Sequence, residues 1–167
     1  MIFVGRLNKS KGYDIFGKSI VKILNKHNNW YATVIGDEPR EKLIFKHKNL
    51  NILGFKNHTY TLRALGKSSI NVVCSQWEEP FGRIAMEASS RGCAVIITNK
   101  GGLKEAASNA LVINNLNEKN LFNAINKLIT NKSFRENMQK NSYKKFYLTN
   151  EYISKKIDNY RLDIIKS

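Results

Sequence analysis

Residues 70–88 read INVVCSQWEEPFGRIAMEA, and the fold class can be inferred from this segment. It begins with a short, mostly apolar run of the kind found in strands that are covered on both faces. Pro80 disfavours helical structure just before it, and Gly82 leaves the backbone open to close approach. From Arg83 onward, Ile84 and Ala88 recur at helical spacing. A strand, a turn and a helix in this order are the repeating unit of an α/β fold.

The same alternation extends over the chain. Apolar runs predict strands at residues 2–5, 31–35, 50–53, 70–74, 94–97 and 110–113. Helical periodicity predicts helices at about residues 13–26, 82–91 and 121–129, followed by a mostly helical tail from about Ser133. We therefore predict a Rossmann-like, doubly wound parallel sheet of about six strands, with residues 1–130 as a single α/β core and residues 131–167 as a helical tail.

The amino-acid composition limits the classes of molecule that this chain is expected to bind. The chain of 167 residues has a net charge of +15, but its lysines are scattered among asparagines. Binders of nucleic acid usually cluster basic and aromatic residues on one face, so we predict no nucleic-acid partner. A diffuse positive field still favours ligands that carry phosphate, or an anionic membrane surface.

No metal site is predicted. Cys74 and Cys93 lie in apolar surroundings without the spacing of metal ligands, and are interpreted as core thiols of a cytoplasmic protein. His27, His47 and His58 show no ligand spacing either, and are interpreted as surface residues. The sequence contains no Asp-x-Asp motif.

Candidate binding residues follow two of the predicted strands, where ligands of such sheets bind. Arg6 and Lys11 come after the first strand, beside the start of a helix, and could cradle a pyrophosphate; the alternative is that they are solvated loop charges. The amides of Gly82, Arg83 and Ile84 would lie at a helix N-terminus, where the dipole favours an anion.

Two carboxylates flank this second turn. Glu79 precedes Gly82, and Glu87 lies in the first turns of the helix. Carboxylates accept paired hydrogen bonds from vicinal hydroxyls such as those of ribose or a hexose, so both could face one ligand. The alternative is that Glu79 is a loop charge and Glu87 a solvated helix residue.

Taken together, these motifs resemble the retaining glycosyltransferases of family 4. The nucleotide-binding domain of that family carries two glutamates separated by seven residues, as Glu79 and Glu87 are. Further matches to the family follow one another in the same order as in its members, over about residues 1–130. They are Gly5-Arg6-Leu7, Lys11-Gly12, Leu53-Gly54-Phe55, Pro80-Phe81-Gly82 and the segments 92–96 and 101–105. The sequence at Trp77 and at the doubled glutamate, Glu78-Glu79, most resembles that of bacterial lipopolysaccharide-core sugar transferases.

The resemblance implies a role for each matching residue on the phosphate side. Arg6 and Lys11 would bind the diphosphate of the donor and stabilise it as it leaves. The backbone amides of Gly82, Arg83 and Ile84 would add to that stabilisation. Positive side chains and a helix dipole can do this without a metal ion, so no cofactor is expected.

The remaining roles concern the sugar, the ribose and the base. Glu79 would be the catalytic residue that orients the donor sugar, and Glu87 would hold the ribose hydroxyls. Gly54, Phe55 and Lys56 would pass beneath the base. The resemblance thus implies a UDP-sugar or GDP-sugar as donor.

The reaction implied is transfer of a hexose to a glycan acceptor, such as lipopolysaccharide or another surface polysaccharide. The family holds its acceptor in an N-terminal domain that these 167 residues do not supply, so the chain alone is expected to be inactive. The expected location is the cytoplasm, peripheral to the inner face of the membrane. Two alternatives stay open, namely a sugar-nucleotide epimerase of the GT-B kind and a basic module that binds RNA or anionic lipid.

Overall fold

Six parallel strands form one sheet in the computed structural model, which describes residues 1–166, the last of them in its backbone only. The strands are β1 Ile2–Val4, β2 Ala32–Ile35, β3 Leu50–Ile52, β4 Ile70–Val73, β5 Ala94–Thr98 and β6 Leu111–Ile113. Their order across the sheet is β3-β2-β1-β4-β5-β6, and every neighbouring pair is parallel. The predicted doubly wound parallel sheet is therefore confirmed.

Helices cover both faces of this sheet. They are α1 Tyr13–Lys26, α2 His58–Gly66, α3 Arg83–Ser90, α4 Leu103–Ala106, α5 Glu118–Thr130, α6 Lys132–Lys144 and α7 Asn150–Lys166, and a 3-10 turn at Lys9–Lys11 precedes α1. Three of them start at asparagines whose side chains accept a hydrogen bond from an amide in the first turn: Asn57, Asn117 and Asn131. These caps satisfy backbone donors that the helix itself leaves unpaired.

The core has two parts, one on each face of the sheet. On one face, α1 packs against α5, and Phe16 and Ile20 of α1 are fully buried. On the other face, Leu65 of α2 and Ala88 of α3 lie fully buried with Leu103 of α4. Each face of the sheet is thus covered by helices, which explains why most strand residues are apolar.

The structure departs from the sequence predictions in its helices more than in its strands. The sequence analysis missed α2 and α4. Helix α2 buries only Thr61 and Leu65, and α4 has four residues, so neither shows the repeated apolar period of a longer helix. The predicted helical tail is confirmed as α6 and α7, and α7 exposes Tyr152, Ile153, Ile157 and Tyr160.

Both cysteines are buried and free, as predicted. Burial raises the pKa of the Cys74 thiol and that of the Cys93 thiol to about 12 in each case. Because the thiolate is the reactive form, neither residue should react with a disulfide reagent at pH ~8 while the chain is folded. We expect both to react in denaturant, and a Ser133→Cys control, at an exposed position, to react at once in the native chain. Rapid labelling of native Cys74 would contradict the burial.

Candidate functional site

A cavity of about 350 Å³ opens at the carboxyl ends of β1 and β4. These two strands are neighbours in the sheet although the chain winds away from them in opposite directions. Ligands of open α/β sheets bind at such a switch point. The wall of the cavity is formed by Phe3, Val4, Gly5, Lys11, Val73, Ser75, Glu79, Pro80, Phe81, Gly82, Arg83 and Ile84. Lys11, Glu79 and the start of α3 therefore converge on one cavity.

Local hydrogen bonds place Lys11 at this cavity. Asn8 accepts hydrogen bonds through Oδ1 from the Lys11 amide at 3.1 Å and from the Ser10 hydroxyl at 2.9 Å. Gly12 follows with φ of 71°, and a Cβ built on it would lie 1.9 Å from the carbonyl oxygen of Cys74. Only glycine fits where the two segments touch so closely. Sequence and packing thus hold Lys11 against the turn that follows β4.

Lys11 forms an ion pair inside the cavity. Its Nζ lies 2.5 Å from Oε1 of Glu79, whose side chain is only 12% exposed. The two residues are far apart in sequence, and the sequence analysis had placed them in the same site without predicting this contact. A cation and a carboxylate paired at the mouth of a cavity can each exchange partner when a charged, hydroxylated ligand arrives.

The N-terminus of α3 adds hydrogen-bond donors to the same wall. Gly82 is the N-cap residue, with φ of 91°, and no side chain caps the helix. The first amides of a helix have no partner within it, and its dipole concentrates positive potential there. Arg83 is exposed beside them. This end of α3 is suited to bind an anion.

The two adjacent glutamates, Glu78 and Glu79, make contacts on different sides of their loop. Glu78 accepts hydrogen bonds from Lys100 Nζ at 2.8 Å and from the amide of Gly101 at 2.6 Å. These bonds, that of Lys100 first, hold the pKa of Glu78 below its usual range. Glu79 instead lines the cavity with Lys11. The structure therefore separates the two carboxylates, which the sequence places side by side.

Glu87 lies one turn further along α3, outside the wall of the cavity. Its side chain is 12% exposed, and Oε1 lies 3.1 Å from Nε2 of His58. Within the described residues, Glu87 Oε2 is buried and has no hydrogen-bond partner. A buried carboxylate oxygen without a partner is costly unless a ligand or water donates to it. The sequence analysis correctly placed His58 at the surface but missed its contact with Glu87, which no spacing in the sequence indicates.

The other predicted residues lie near the site without entering the wall. Arg6 is exposed and follows Gly5, which does line the cavity. Phe55 is 74% exposed, and Gly54, with φ of 66°, has open space around its Cα. Lys56 contacts the ring of Tyr60. This turn leads directly into α2, which carries His58 at its first position.

Two kinds of feature are absent from residues 1–166. No group of three His, Cys, Asp or Glu side chains in this range is arranged to hold a metal ion. None of the helices in the same range has the length and apolar character needed to cross a membrane.

Comparison with known proteins identifies the family. Residues 1–145 match the glycosyl transferases group 1. The uncharacterized glycosyltransferase MJ1607 of Methanocaldococcus jannaschii is 31% identical over 157 residues, which cover 88% of this chain and 40% of that protein. The chain spans less than half the length of the curated relatives that it matches, and 40% of MJ1607.

Solved structures agree with this assignment. The C-terminal domain of the group 1 glycosyl transferase LpcC from Francisella tularensis superposes with a TM-score of 0.74 at 27% identity, covering 86% of this chain and 82% of that one. Anabaena HepE in complex with UDP and glucose shares the fold, with a TM-score of 0.76 at 18% identity over 99% of this chain and 48% of that one. This chain belongs to the glycosyl transferases group 1 family and has the fold of a GT-B C-terminal domain.

Proposed function

We propose that this chain is the donor-binding domain of a retaining glycosyltransferase of family 4, and that the cavity beside β1 and β4 holds a nucleoside diphosphate sugar. The observation that carries the proposal is the convergence of Lys11, Glu79 and the uncapped start of α3 on one cavity. HepE, which shares the fold, has been solved with UDP and glucose. This supports a sugar nucleotide as the ligand.

The diphosphate would bind between Lys11 and the first amides of α3. Lys11 supplies a positive charge at the cavity, and Arg6 at the same edge of the sheet supplies another within reach of solvent. The amides of Gly82, Arg83 and Ile84 supply hydrogen bonds and the helix dipole. The proposed site needs no metal ion, because these groups stabilise the charge that develops as the diphosphate leaves.

Donor binding would exchange the partners of Lys11 and Glu79. In the structure the two side chains neutralise each other. A diphosphate would draw Lys11 to itself, and Glu79 would then accept hydrogen bonds from hydroxyls of the donor sugar. Glu79 is thereby proposed as the catalytic residue that orients the hexose.

Glu87 is proposed to bind the ribose. Its buried Oε2 has no partner among the described residues, and a ribose hydroxyl would supply one. His58, in contact with the other oxygen, would orient the carboxylate. Because His58 follows the turn of Gly54, Phe55 and Lys56, this contact also ties the proposed ribose site to the proposed base site.

The acceptor would be a surface glycan, such as lipopolysaccharide core, held by a partner domain. Bringing donor and acceptor together and excluding water from them require a cleft with one domain on each side. The 167-residue chain alone should therefore bind the donor without transferring its sugar efficiently. The net charge of +15 supports a location at the inner face of the membrane, because anionic lipids attract a positively charged protein.

Calorimetric titration of Glu87→Gln and Glu79→Gln tests the two carboxylate roles. Glu87→Gln should weaken binding of both free UDP and UDP-glucose by about 1–3 kcal/mol, because a ribose contact is present in each ligand. Glu79→Gln should leave free UDP no weaker and reduce the extra affinity for the intact sugar nucleotide. GDP and GDP-mannose are titrated in parallel to identify the base.

Glu78→Gln is the matched control, because Glu78 lies next to Glu79 and accepts its hydrogen bonds from Lys100 and Gly101, outside the cavity wall. It should bind all four ligands as the parent chain does. Equal losses for nucleotide and sugar nucleotide in both test variants would overturn the division of roles. Failure of the parent chain to bind any of the four ligands would overturn the proposed function itself.

A further inference from the structure

A second cavity, of about 360 Å³, opens on the same edge of the sheet, at the carboxyl ends of β4, β5 and β6. Its volume lies within the range of about 300–1,000 Å³ that is usual for small-molecule sites. Ser75 lines both this cavity and the proposed donor cavity, so the two are neighbours. The loop 76–80, which follows Ser75, carries a wall residue of each cavity: Gln76 for the second and Glu79 for the first.

This loop is held firmly on both sides. The Gln76 amide donates to the carbonyl of Ser10 at 2.8 Å, and the Gln76 side chain donates to the carbonyl of Lys9 at 2.7 Å. On the other side, the amide of Gly102 donates to the carbonyl of Glu79 at 2.8 Å. A loop fixed in this way holds its side chains in defined positions. This favours binding, because the loop loses little conformational entropy when a ligand binds.

Trp77 stands on this loop, directly after Gln76, and 54% of its surface is exposed. An indole offers a large apolar face together with one N–H donor. The apolar face matches the C–H face of a pyranose ring, so an exposed indole that directly follows a wall residue of the cavity is suited to stack on such a ring.

The lining of the second cavity suits hydroxyl groups. Within residues 1–166, the side-chain amides of Asn99 and Asn114 have no hydrogen-bond partner. An amide both donates and accepts, as each sugar hydroxyl does. The cation in the wall, Lys100, is already paired with Glu78 at 2.8 Å. The other wall residues are all uncharged, and most of them carry a hydroxyl or an amide, so the lining suits a neutral ligand with hydroxyl groups.

We propose that this second cavity binds a neutral sugar residue of the acceptor glycan, with Trp77 stacked on the ring and Asn99 and Asn114 bonded to its hydroxyls. The inference rests on the proposed function, since it places the acceptor on the far side of loop 76–80 from the donor. It gives this domain a share in acceptor recognition.

The test uses the ¹⁵N-labelled 167-residue chain and NMR. The chain has two tryptophans, so the indole signal of Trp30 serves as an internal reference for that of Trp77. UDP is added to saturation first, which occupies the donor cavity. Methyl α-glycosides of glucose, galactose, mannose and N-acetylglucosamine are then titrated separately into the millimolar range, with glycerol as a polyol control.

At least one glycoside should shift the Trp77 indole and the Asn99 and Asn114 side-chain signals to saturation, while the Trp30 signal stays in place. Trp77→Ala and Asn114→Ala should each weaken that binding by about tenfold or more. Tyr143→Ala, which removes another exposed aromatic residue outside both cavities, should change it by less than about twofold.

Two results would overturn the inference: no glycoside shifts the Trp77 signal of the UDP-saturated chain, or Trp77→Ala binds the sugar as well as the parent chain does. Each would leave the proposed function standing, provided that UDP itself binds at the first step. Absence of UDP binding would instead count against the proposed function.

Discussion

A Gly12→Ala variant should lose about 3–5 kcal/mol of its free energy of unfolding, a large effect for adding one methyl group. Gly12 has φ of 71°, a conformation that costs energy for any residue with a Cβ. The added Cβ would also lie 1.9 Å from the carbonyl oxygen of Cys74, and backbone at that distance must move. Urea unfolding followed by circular dichroism measures the loss.

Alanine variants at two other glycines separate the cost of backbone strain from the cost of the close contact at Gly12. Gly54 shares a positive φ, 66°, but a Cβ on it would meet nothing within 4 Å, so Gly54→Ala should cost about 1–2 kcal/mol from backbone strain alone. Gly66 lies at the end of α2, and a Cβ on it would also meet nothing. Gly66→Ala should be neutral or stabilising by up to about 1 kcal/mol. Similar losses in all three variants would show that close contact at Gly12 does not matter.

A Lys11→Met variant should bind nucleoside diphosphates about two orders of magnitude more weakly, about 3 kcal/mol. The substitution removes the cation proposed to hold the diphosphate. It also leaves the carboxylate of Glu79 unpaired in the cavity, where it would repel the phosphates. Calorimetric titration with UDP and GDP measures the change.

Lys9→Met is the matched control, because Lys9 lies in the same 3-10 turn with its side chain in solvent. It should change the affinity by less than about threefold, as a distant surface charge does. A Lys11→Met/Glu79→Gln double variant should recover part of the loss, because the repulsion is gone. Equal losses in Lys9→Met and Lys11→Met would mean that only overall charge attracts the ligand.

The strands could be predicted because both faces of the sheet are covered. All six apolar runs correspond to strands, and in each of them one end agrees with the structure while the other differs by one residue. Helix α1 was predicted with its observed ends, since Phe16, Ile20, Ile23 and Leu24 repeat at helical spacing and are all buried. Helix α2 could not be found in this way, because its buried face consists of Thr61 and Leu65 alone.

Part of the cavity wall could be predicted from the sequence, and the contacts within it could not. The sequence motif groups Lys11, Glu79 and Gly82, and the structure brings them into one cavity. The pairing of Lys11 with Glu79, and that of Glu87 with His58, depend on how distant segments pack, which local patterns do not encode. The motif spacing had selected Glu79 rather than Glu78, and the structure adds that Glu78 is bonded to the neighbouring loop.

The position of β1 in the middle of the sheet has a consequence for how the chain folds. Ile2 pairs on one side with Thr33 of β2 and on the other with Asn71 of β4, so the earliest strand needs two partners that come later. Pairings between such distant segments form slowly, since a long loop must close first. Until β4 has been synthesised, β1 presents an unpaired apolar edge, and unpaired edges are where chains associate with one another. This edge of β1 therefore stays open until residues 70–73 have paired with it.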